Sequence, residues 1–307
     1  MDIISMFLIV SGLCLFETIS SIDNAIINAE VLSTMSPRAR RWFLVYGLLI
    51  AVFVVRALLP WFIVWMATPG IGPLAALTAT FSNDPEVKGA VERSAPVLLM
   101  GGGVFLVLLF FHWLFLEEKN CGLWGESFFY VHGVWFYAVV SIILAILVLA
   151  AMARSDKLAF GAVAGSTAFV ITQAFKMNAE DSERNLLGSK GNLSDISKVL
   201  YLEVIDATFS IDGVLGAFAF TLSVPLILLG NGLGAFVVRE LTMRNIDRIK
   251  KYLYLKNGAM YSILFLGLIM VAESFGHEVP SWGSPLVTFG IVGYFFIKSK
   301  RAMVNPA

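Results

Sequence analysis

The residues best suited to chemistry in this chain are four carboxylates, arranged as two copies of one short pattern. Glu17 is followed six residues later by Asp23, and Asp206 is followed six residues later by Asp212. In each copy the second carboxylate ends the tripeptide Ser-Ile-Asp. Both copies lie in segments apolar enough to cross a membrane, where an ionisable side chain is costly and usually functional. The duplication therefore indicates a cation site between two halves of a membrane transporter.

The candidate ligands present oxygen atoms, which suit Mg²⁺, Ca²⁺ or Mn²⁺ better than copper or zinc. On a regular helix, two residues six positions apart are about 120° out of phase. Either the helix unwinds at Ser-Ile-Asp so that the two carboxylates converge, or each acid faces a different neighbour. The predicted metal ligands are Glu17, Asp23, Asn24, Asp206, Asp212 and Glu203, with Glu30 as an outer member.

Two further residue types could modify this site. His112 lies well inside a predicted span, and as a ligand it would favour Mn²⁺. The alternative is a hydrogen-bonded histidine that packs helices together. Arg56 and Arg239 are the candidate charge partners or gates, and with the acids they could instead form a structural ion-pair network. The four core acids outnumber the two arginines, and this surplus favours a bound cation or proton.

The composition predicts an all-α, polytopic membrane protein. Of the 307 residues, 58% are hydrophobic and only 14% are charged, which is too few charges for a typical soluble domain. The formal net charge is zero, so the total suggests no nucleic-acid partner. Apolar windows predict about nine transmembrane helices, near residues 3–33, 42–66, 96–116, 133–153, 158–177, 197–222, 224–243, 252–275 and 283–298.

The basic residues predict how the chain is oriented. With the N-terminus outside and the C-terminus in the cytoplasm, most lysines and arginines between spans fall on the cytoplasmic side. We therefore expect a multi-pass protein of the bacterial cytoplasmic (inner) membrane. The outer segment 67–95 is interpreted as a short re-entrant or interfacial piece, or as a loop. The charged segment 178–198 is interpreted as a solvated linker between halves.

Spans 1–3 match spans 6–8, which predicts an inverted repeat because an offset of five spans reverses direction. Phe53-Val54-Val55-Arg56 in the second span matches Phe236-Val237-Val238-Arg239 in the seventh. We expect a single transport domain over 1–307, with halves at about 1–153 and 197–298 and a linking span at 158–177. The glycine-rich runs 101–103 and 230–234 lack nucleotide-loop context and predict close helix packing.

The acidic motifs, Glu17 through Asn24 and Asp206 through Gly213, resemble those of the TerC family of bacterial membrane proteins, within the LysE-like transporters. The resemblance implies metal-ion transport, with export of Mn²⁺ as the expected activity, and a ligand role for Asp23, Asp212 and Asn24. The family name refers to tellurium resistance and implies no tellurite chemistry here. Gly213 departs from the pattern, because the first copy has Asn24 at that position.

The leading hypothesis is a divalent-cation exporter that is not an enzyme and works by alternating access at a midplane carboxylate site. Mn²⁺ is the expected substrate, with Mg²⁺ or Ca²⁺ as alternatives. A proton-coupled exporter of a small organic cation or amino acid is a second hypothesis. An intramembrane aspartyl protease with Asp23 and Asp212 is a third, although the Gly-x-Gly-Asp signature is missing. A fourth is a partner that delivers metal to secretion machinery or exported metalloenzymes.

Overall fold

The computed structural model describes residues 2–47, 56–68, 72–74, 85–188, 194–244, 249 and 251–304. The described elements are helices joined by turns, which confirms the predicted all-α class. The α-helices are α1 (Ile3–Ser20), α2 (Ile22–Ser33), α3 (Pro37–Trp42), α4 (Arg56–Ala67), α5 (Pro85–Leu116), α6 (Glu126–Val131), α7 (Phe136–Met152), α8 (Asp156–Gly188), α9 (Asp195–Ala217), α10 (Val224–Arg244), α11 (Leu255–Ser274) and α12 (Gly283–Val304). A π-helix (Phe43–Gly47) follows α3, and a 3₁₀ turn (Gly133–Trp135) precedes α7.

Six described helical segments are long and apolar enough to cross a membrane, which confirms a polytopic membrane bundle. They correspond to the first, third, fourth, fifth, seventh and eighth predicted spans. These segments are Ile3–Ser20, Glu92–Leu116, Gly133–Met152, Asp156–Asn178, Val224–Leu241 and Leu255–Ser274.

Helices α5 and α8 run in the same direction. A methyl group built on Gly101 would lie 3.8 Å from the Gly165 nitrogen, and one turn further the rings of Phe105 and Phe169 meet with centroids 6.0 Å apart. Helix α7 lies between them in the chain, so it returns across the bundle in the opposite direction. The predicted third to fifth spans therefore alternate in direction, as a membrane topology requires.

Helix α11 runs antiparallel to α5 and therefore also to α8. Gly103 packs on Gly267, while Phe110, further along α5, meets the ring of Tyr261, which precedes Gly267. Antiparallel helices of a membrane bundle are separated in the chain by an even number of crossings. Between α8 and α11 the chain contains α9 and α10, which provide two crossings. The direction of packing thus supports the sixth predicted span, although the acidic residues of α9 make it less apolar than the six segments above.

Helix α12 runs antiparallel to α11 and supports the ninth predicted span. The Tyr254 amide donates a hydrogen bond of 3.0 Å to Ser299 Oγ, and the rings of Tyr261 and Phe295 stack with centroids 5.4 Å apart. The second predicted span, 42–66, lies partly outside the described residues. The count of nine therefore stays a prediction.

Helix α5 forms the centre of the core. Residues 104–110 are buried on every side of the helix, as expected for a helix that is apolar all round. In the 18-residue apolar window of α5, 72% of the residues are buried, against 11% in the window that contains α7. Helix α7 therefore lies at the periphery, where its apolar surface is suited to lipid.

The glycine-rich runs serve close packing, as predicted. Methyl groups built on Gly103 and Gly267 would each lie within 3.0 Å of the other residue's carbonyl oxygen, so α5 and α11 touch through their backbones. A methyl group on Gly230 would lie 2.4 Å from Leu13 Cβ of α1. Small residues allow this approach in membrane bundles, where van der Waals contact helps to drive helix association.

Two predicted connections are partly helical. Helix α5 begins at Pro85, so the end of the segment 67–95 is an extension of α5 rather than a loop or a re-entrant piece. Helix α8 continues to Gly188 and carries helix into the charged segment 178–198. A helix can also be a solvated linker, so that interpretation of the segment stays a prediction.

The contacts between helices are compatible with the predicted repeat. Helix α1 packs on α10, and the counterparts of these two helices, α9 and α4, also pack on each other. Helix α5 packs on its own counterpart α11. Replacing each helix by its counterpart in the other half therefore gives the same set of contacts, as a repeat with two-fold symmetry requires. The boundaries of the two halves and the axis that relates them stay predictions.

Candidate cation site

Glu17 lies where the first predicted span is interrupted. Helix α1 ends at Ser20 and α2 begins at Ile22, with Ser21 as the turn residue between them. The Ser21 hydroxyl donates a hydrogen bond of 2.8 Å to Glu17 Oε1. A serine hydroxyl that bonds nearby groups competes with regular helix. The first copy of the motif therefore has the helix break that was one of the two alternatives, and convergence of Glu17 and Asp23 stays a prediction.

Glu17 is buried between α9 and α10, with only 1% of its surface exposed. A methyl group built on Gly213 of α9 would lie 2.8 Å from Glu17 Oε2. A methyl group built on Gly234 of α10 would lie 2.6 Å from Glu17 Cβ. The two glycines therefore leave the space that the glutamate fills. Through Gly213, the acid of the first motif touches the residue next to Asp212 of the second.

The second copy of the motif differs, because α9 continues without interruption from Asp195 to Ala217. Ser210 Oγ donates a hydrogen bond of 2.6 Å to the backbone carbonyl of Asp206, one turn earlier in the same helix. Of the two alternatives, local unwinding therefore does not apply to this copy. Asp206 and Asp212 stay about 120° apart around the helix and face different neighbours.

Asp212 forms an ion pair with a lysine from another helix. Lys176 Nζ of α8 donates a hydrogen bond to Asp212 Oδ2, and both side chains are largely buried, with 9% and 14% exposed for the lysine and the aspartate. The second oxygen, Asp212 Oδ1, is buried and has no hydrogen-bond partner among the described residues. One oxygen of the carboxylate is thus held by the lysine, and the other is a candidate ligand atom.

Lys176 is the charge partner that the sequence interpretation missed. The candidate partners were Arg56 and Arg239, whereas Asp212 pairs with Lys176. One signal was available, because Lys176 falls inside the predicted fifth span and a charge within a span needs a partner. Arg239 lies in α10 with its Nε buried and without a hydrogen-bond partner in the described part of the chain.

Glu203 and Asp206 form an acidic group one turn apart on α9. Glu203 packs directly on Gly47, the last residue of the π-helix, and the charge of Asp206 acts on it. Glu203 Oε1 is buried and accepts no hydrogen bond within the described residues. A π-helical turn is rare and is often found at a functional site. The described structure thus places Glu203 against the second predicted span, and Glu17 against α9 and α10.

His112 occupies the position expected of a helix-packing residue. Its ring makes edge contacts with Phe136 and Phe169, and its Nδ1 lies 3.5 Å from Glu117 Oε1. Glu117 also pairs with Lys256 at 2.9 Å. Burial raises the pKa of Glu117, but the contacts with His112 and Lys256 outweigh burial and lower it to about 2. The charges of His112 and Glu117 also act on Asp212.

Four of the predicted residues have side chains outside the described structure. Their backbone positions are known: Asp23 and Asn24 lie in the first turn of α2, Glu30 lies later in α2, and Arg56 begins α4. Within the described residues, no group of three or more His, Cys, Asp or Glu side chains is arranged to hold a metal ion. The complete ligand set therefore stays a prediction.

Two amide side chains with buried atoms that lack a hydrogen-bond partner among the described residues add to the candidate polar groups. Asn231 of α10 is fully buried, and neither Oδ1 nor Nδ2 has a hydrogen-bond partner among the described residues. Gln173 lies one turn before Lys176 on α8, and its Nε2 is also buried without a partner. Sequence reasoning treated Asn231 only as part of a glycine-rich packing run. The signal available in the sequence was a polar amide side chain inside an apolar, glycine-rich span.

The comparisons with known proteins give a family and a membrane location. A family model described as a protein of unknown function, DUF475, matches residues 22–305. An uncharacterized membrane protein of Bacillus subtilis (strain 168), YceF, is 33% identical over 82 residues. That match covers 27% of this chain and 32% of the relative, about a third of its length. No solved structure matches the chain. The resemblance to the TerC family stays a prediction.

Proposed function

The chain belongs to the DUF475 family of proteins of unknown function, and we propose that it transports divalent metal ions across a membrane. One observation carries the proposal: the buried carboxylate of Glu17, from the first acidic motif, lies against Gly213 in the second. Two acidic motifs that are distant in the chain therefore meet inside the helix bundle. Buried acids at the junction of two repeats are typical of a transporter's ion site.

The oxygen atoms of this site favour Mn²⁺ as substrate, with Mg²⁺ and Ca²⁺ as competitors. We propose that Glu17 and Asp212 bind the ion together with Asp23 and Asn24, the residues that follow the break after α1. Interrupted helices supply backbone carbonyl groups as well as side chains to such ions. Glu203 and Asp206 attract the cation toward the site.

An open cavity lies beyond the C-terminal end of α9. The cavity has a volume of about 500 Å³, and Glu273, His277 and Glu278 are among the residues that line it. Carboxylates at the mouth of a cavity raise the local concentration of cations. We propose that this is the outer opening. Outward transport, from the cytoplasm through this opening, is proposed from the resemblance to exporters.

The test is uptake and binding of Mn²⁺ by purified protein, with Mg²⁺ and Ca²⁺ as competitors. Wild-type protein in liposomes should move Mn²⁺, and the Asp23→Asn and Asp212→Asn variants should lose transport and bind Mn²⁺ about 10- to 100-fold more weakly or not at all. Glu118→Gln is the matched control, because Glu118 is an exposed carboxylate outside the motifs. Normal transport by both aspartate variants would rule out the proposed site.

A small organic cation is the second candidate substrate, and Lys176 is the observation that favours it. An alkyl ammonium group already fits against Asp212 inside the bundle. A substrate with an amino group, such as a basic amino acid, could bind the same carboxylate. Competition for the site by free lysine, with none by Mn²⁺, would identify this substrate class. The ion pair also disfavours an aspartyl protease, whose two aspartates share one proton.

A further inference from the structure

Lys176 is an unusual residue for its position on α8. Its neighbours Phe175 and Met177 are more than 60% exposed and present apolar surface on the outside of the helix. Lys176 itself is buried and points inward to Asp212. An ionised side chain inside a membrane bundle is costly, so its retention indicates a function as well as a structural contact.

The geometry of the pair is one-sided. The lysine holds Asp212 Oδ2, while Oδ1 is buried and lacks a hydrogen-bond partner among the described residues. A divalent cation that approaches Oδ1 would share one carboxylate with an ammonium group, and the two positive charges would repel each other strongly at that distance. The Lys176 ammonium group and a divalent cation therefore cannot both bind tightly to Asp212.

The side chain of Lys176 is suited to leaving Asp212. Lysine carries a compact charge at the end of a flexible four-carbon stem, so the ammonium group can move while the helix stays in place. The helix itself is fixed, because Gly165 of α8 packs tightly against Gly101 of α5. The charge can therefore move without moving α8.

We propose that Lys176 is a tethered cation that occupies Asp212 in the empty protein and is displaced when the transported cation binds. This inference rests on the proposed function and assigns a further residue to the same site. The lysine neutralises Asp212 when no substrate is present, which avoids a bare buried charge during the return of the empty protein. It also competes with the substrate and so weakens its binding, which favours release.

The experiment measures Mn²⁺ affinity by calorimetry in detergent for wild type, Lys176→Gln and Lys176→Arg. Removing the internal competitor should tighten binding in Lys176→Gln by about tenfold, because the binding-competent state no longer has to be freed from the lysine. Lys176→Arg should bind Mn²⁺ more weakly than wild type, since a guanidinium group can hold both carboxylate oxygens at once.

Thermal unfolding of the same variants separates this role from a purely structural one. Without cation, Lys176→Gln should unfold at a lower temperature than wild type, because Asp212 is buried without its partner. Saturating Mn²⁺ should raise its unfolding temperature by more than it raises that of wild type. The double variant Lys176→Gln/Asp212→Asn removes both charges; it should fold and bind no Mn²⁺.

The outcomes distinguish the inference from the proposed function. Weaker or unchanged Mn²⁺ binding in Lys176→Gln, beside normal binding in wild type, would overturn the tethered-cation role alone. If Lys176→Gln does not fold, wild-type affinity in Lys176→Arg would overturn it. A wild-type protein that binds none of Mn²⁺, Mg²⁺ and Ca²⁺ would overturn the proposed function and this inference with it.

Discussion

The two acidic motifs share a tripeptide but differ in backbone. In the first motif the chain leaves the helix at Ser21, whose hydroxyl bonds the side chain of Glu17. In the second, Ser210 bonds the backbone carbonyl of Asp206, and the helix continues through Ser-Ile-Asp. The serine is the same, but the longer acid of the first motif reaches its hydroxyl. The helix breaks where the serine hydroxyl bonds a side chain, and it continues where the hydroxyl bonds a backbone carbonyl.

The two motifs also differ in the side chains that contact their acids. Glu17 is held by Ser21 and fits into space left by Gly213 and Gly234. Asp212 is held by Lys176 from α8, a helix in the linking region that belongs to neither predicted repeat. The two copies of the motif therefore lie in different environments. We expect the two motifs to have unequal roles, with the first as a ligand loop and the second as a ligand that a lysine controls.

The largest effect is expected from Gly165→Ala, which disturbs the helix that carries Lys176 to the second motif. The new methyl group would overlap the carbonyl oxygen of Gly101, which belongs to backbone and cannot move away cheaply. Overpacking of this kind destabilises a protein by about 3 kcal/mol or more. Thermal unfolding in detergent measures it, with Gly290→Ala as control because nothing lies within 4 Å of that position. Equal unfolding temperatures for the two variants would contradict the packing of α8 on α5.

A large effect on cation binding is expected from Gly213→Asn, which makes the second motif end like the first. The added side chain would take the space of Glu17 Oε2 and push the carboxylate out of its position. Mn²⁺ affinity should fall by about 10- to 100-fold, as for loss of a group that orients a metal ligand. Gly293→Asn on α12 is the matched control, since that glycine faces open space. Unchanged Mn²⁺ affinity in Gly213→Asn would show that Glu17 does not contribute to the cation site.

A moderate difference is expected between Ser21→Ala and Ser210→Ala. Ser21→Ala removes a hydrogen bond to a buried carboxylate, which should lower the free energy of unfolding by about 2 kcal/mol and weaken Mn²⁺ binding. Ser210→Ala removes a bond to a helix carbonyl and should change stability by about 0.5 kcal/mol or less. Denaturation and binding of the two variants in parallel provide the comparison. Equal losses would show that the two serines do not differ in function.

The smallest effect concerns Glu117, whose ion pair with Lys256 lies near the second motif and acts on Asp212. The pKa of Glu117 falls from 4.5 to about 2 on folding, so this group stabilises the protein above pH 4.5. The stability should be lost as the pH falls from 4.5 through 2. Glu117→Gln should therefore show a flatter loss of stability with acid than wild type. The exposed Glu118→Gln should follow wild type, and a wild-type slope in Glu117→Gln would contradict the ion pair's role.

The class of the fold was predictable because membrane solvation restricts the solutions. Long apolar segments have to become helices, and most of the predicted windows contain a described helix. The glycine runs predicted close packing, since few other residues let backbones touch. A helix break at Ser-Ile-Asp was one of two alternatives, and the first motif has it. These signals are local and are visible in the sequence.

The parts that could not be predicted depend on which helices are neighbours. Lys176 and Asp212 are 36 residues apart in the chain and lie on two different helices, so nothing local pairs them. The different backbones at Ser21 and Ser210 depend on which group each hydroxyl bonds. The helical extension at Pro85 was hidden by turn-forming residues just before it. The positions of the Asp23 and Asn24 side chains lie outside the described residues, so their part in the site stays a prediction.

The central claim is that the two motifs form one cation site, and a double-mutant cycle tests it most directly. Mn²⁺ binding is measured for wild type, Glu17→Gln, Asp212→Asn and the variant with both changes. If both carboxylates bind one ion, either single change should weaken binding nearly as much as the two together, with one ion bound per chain in wild type. Losses that simply add, or a single variant that binds as tightly as wild type, would show that Glu17 and Asp212 do not share an ion.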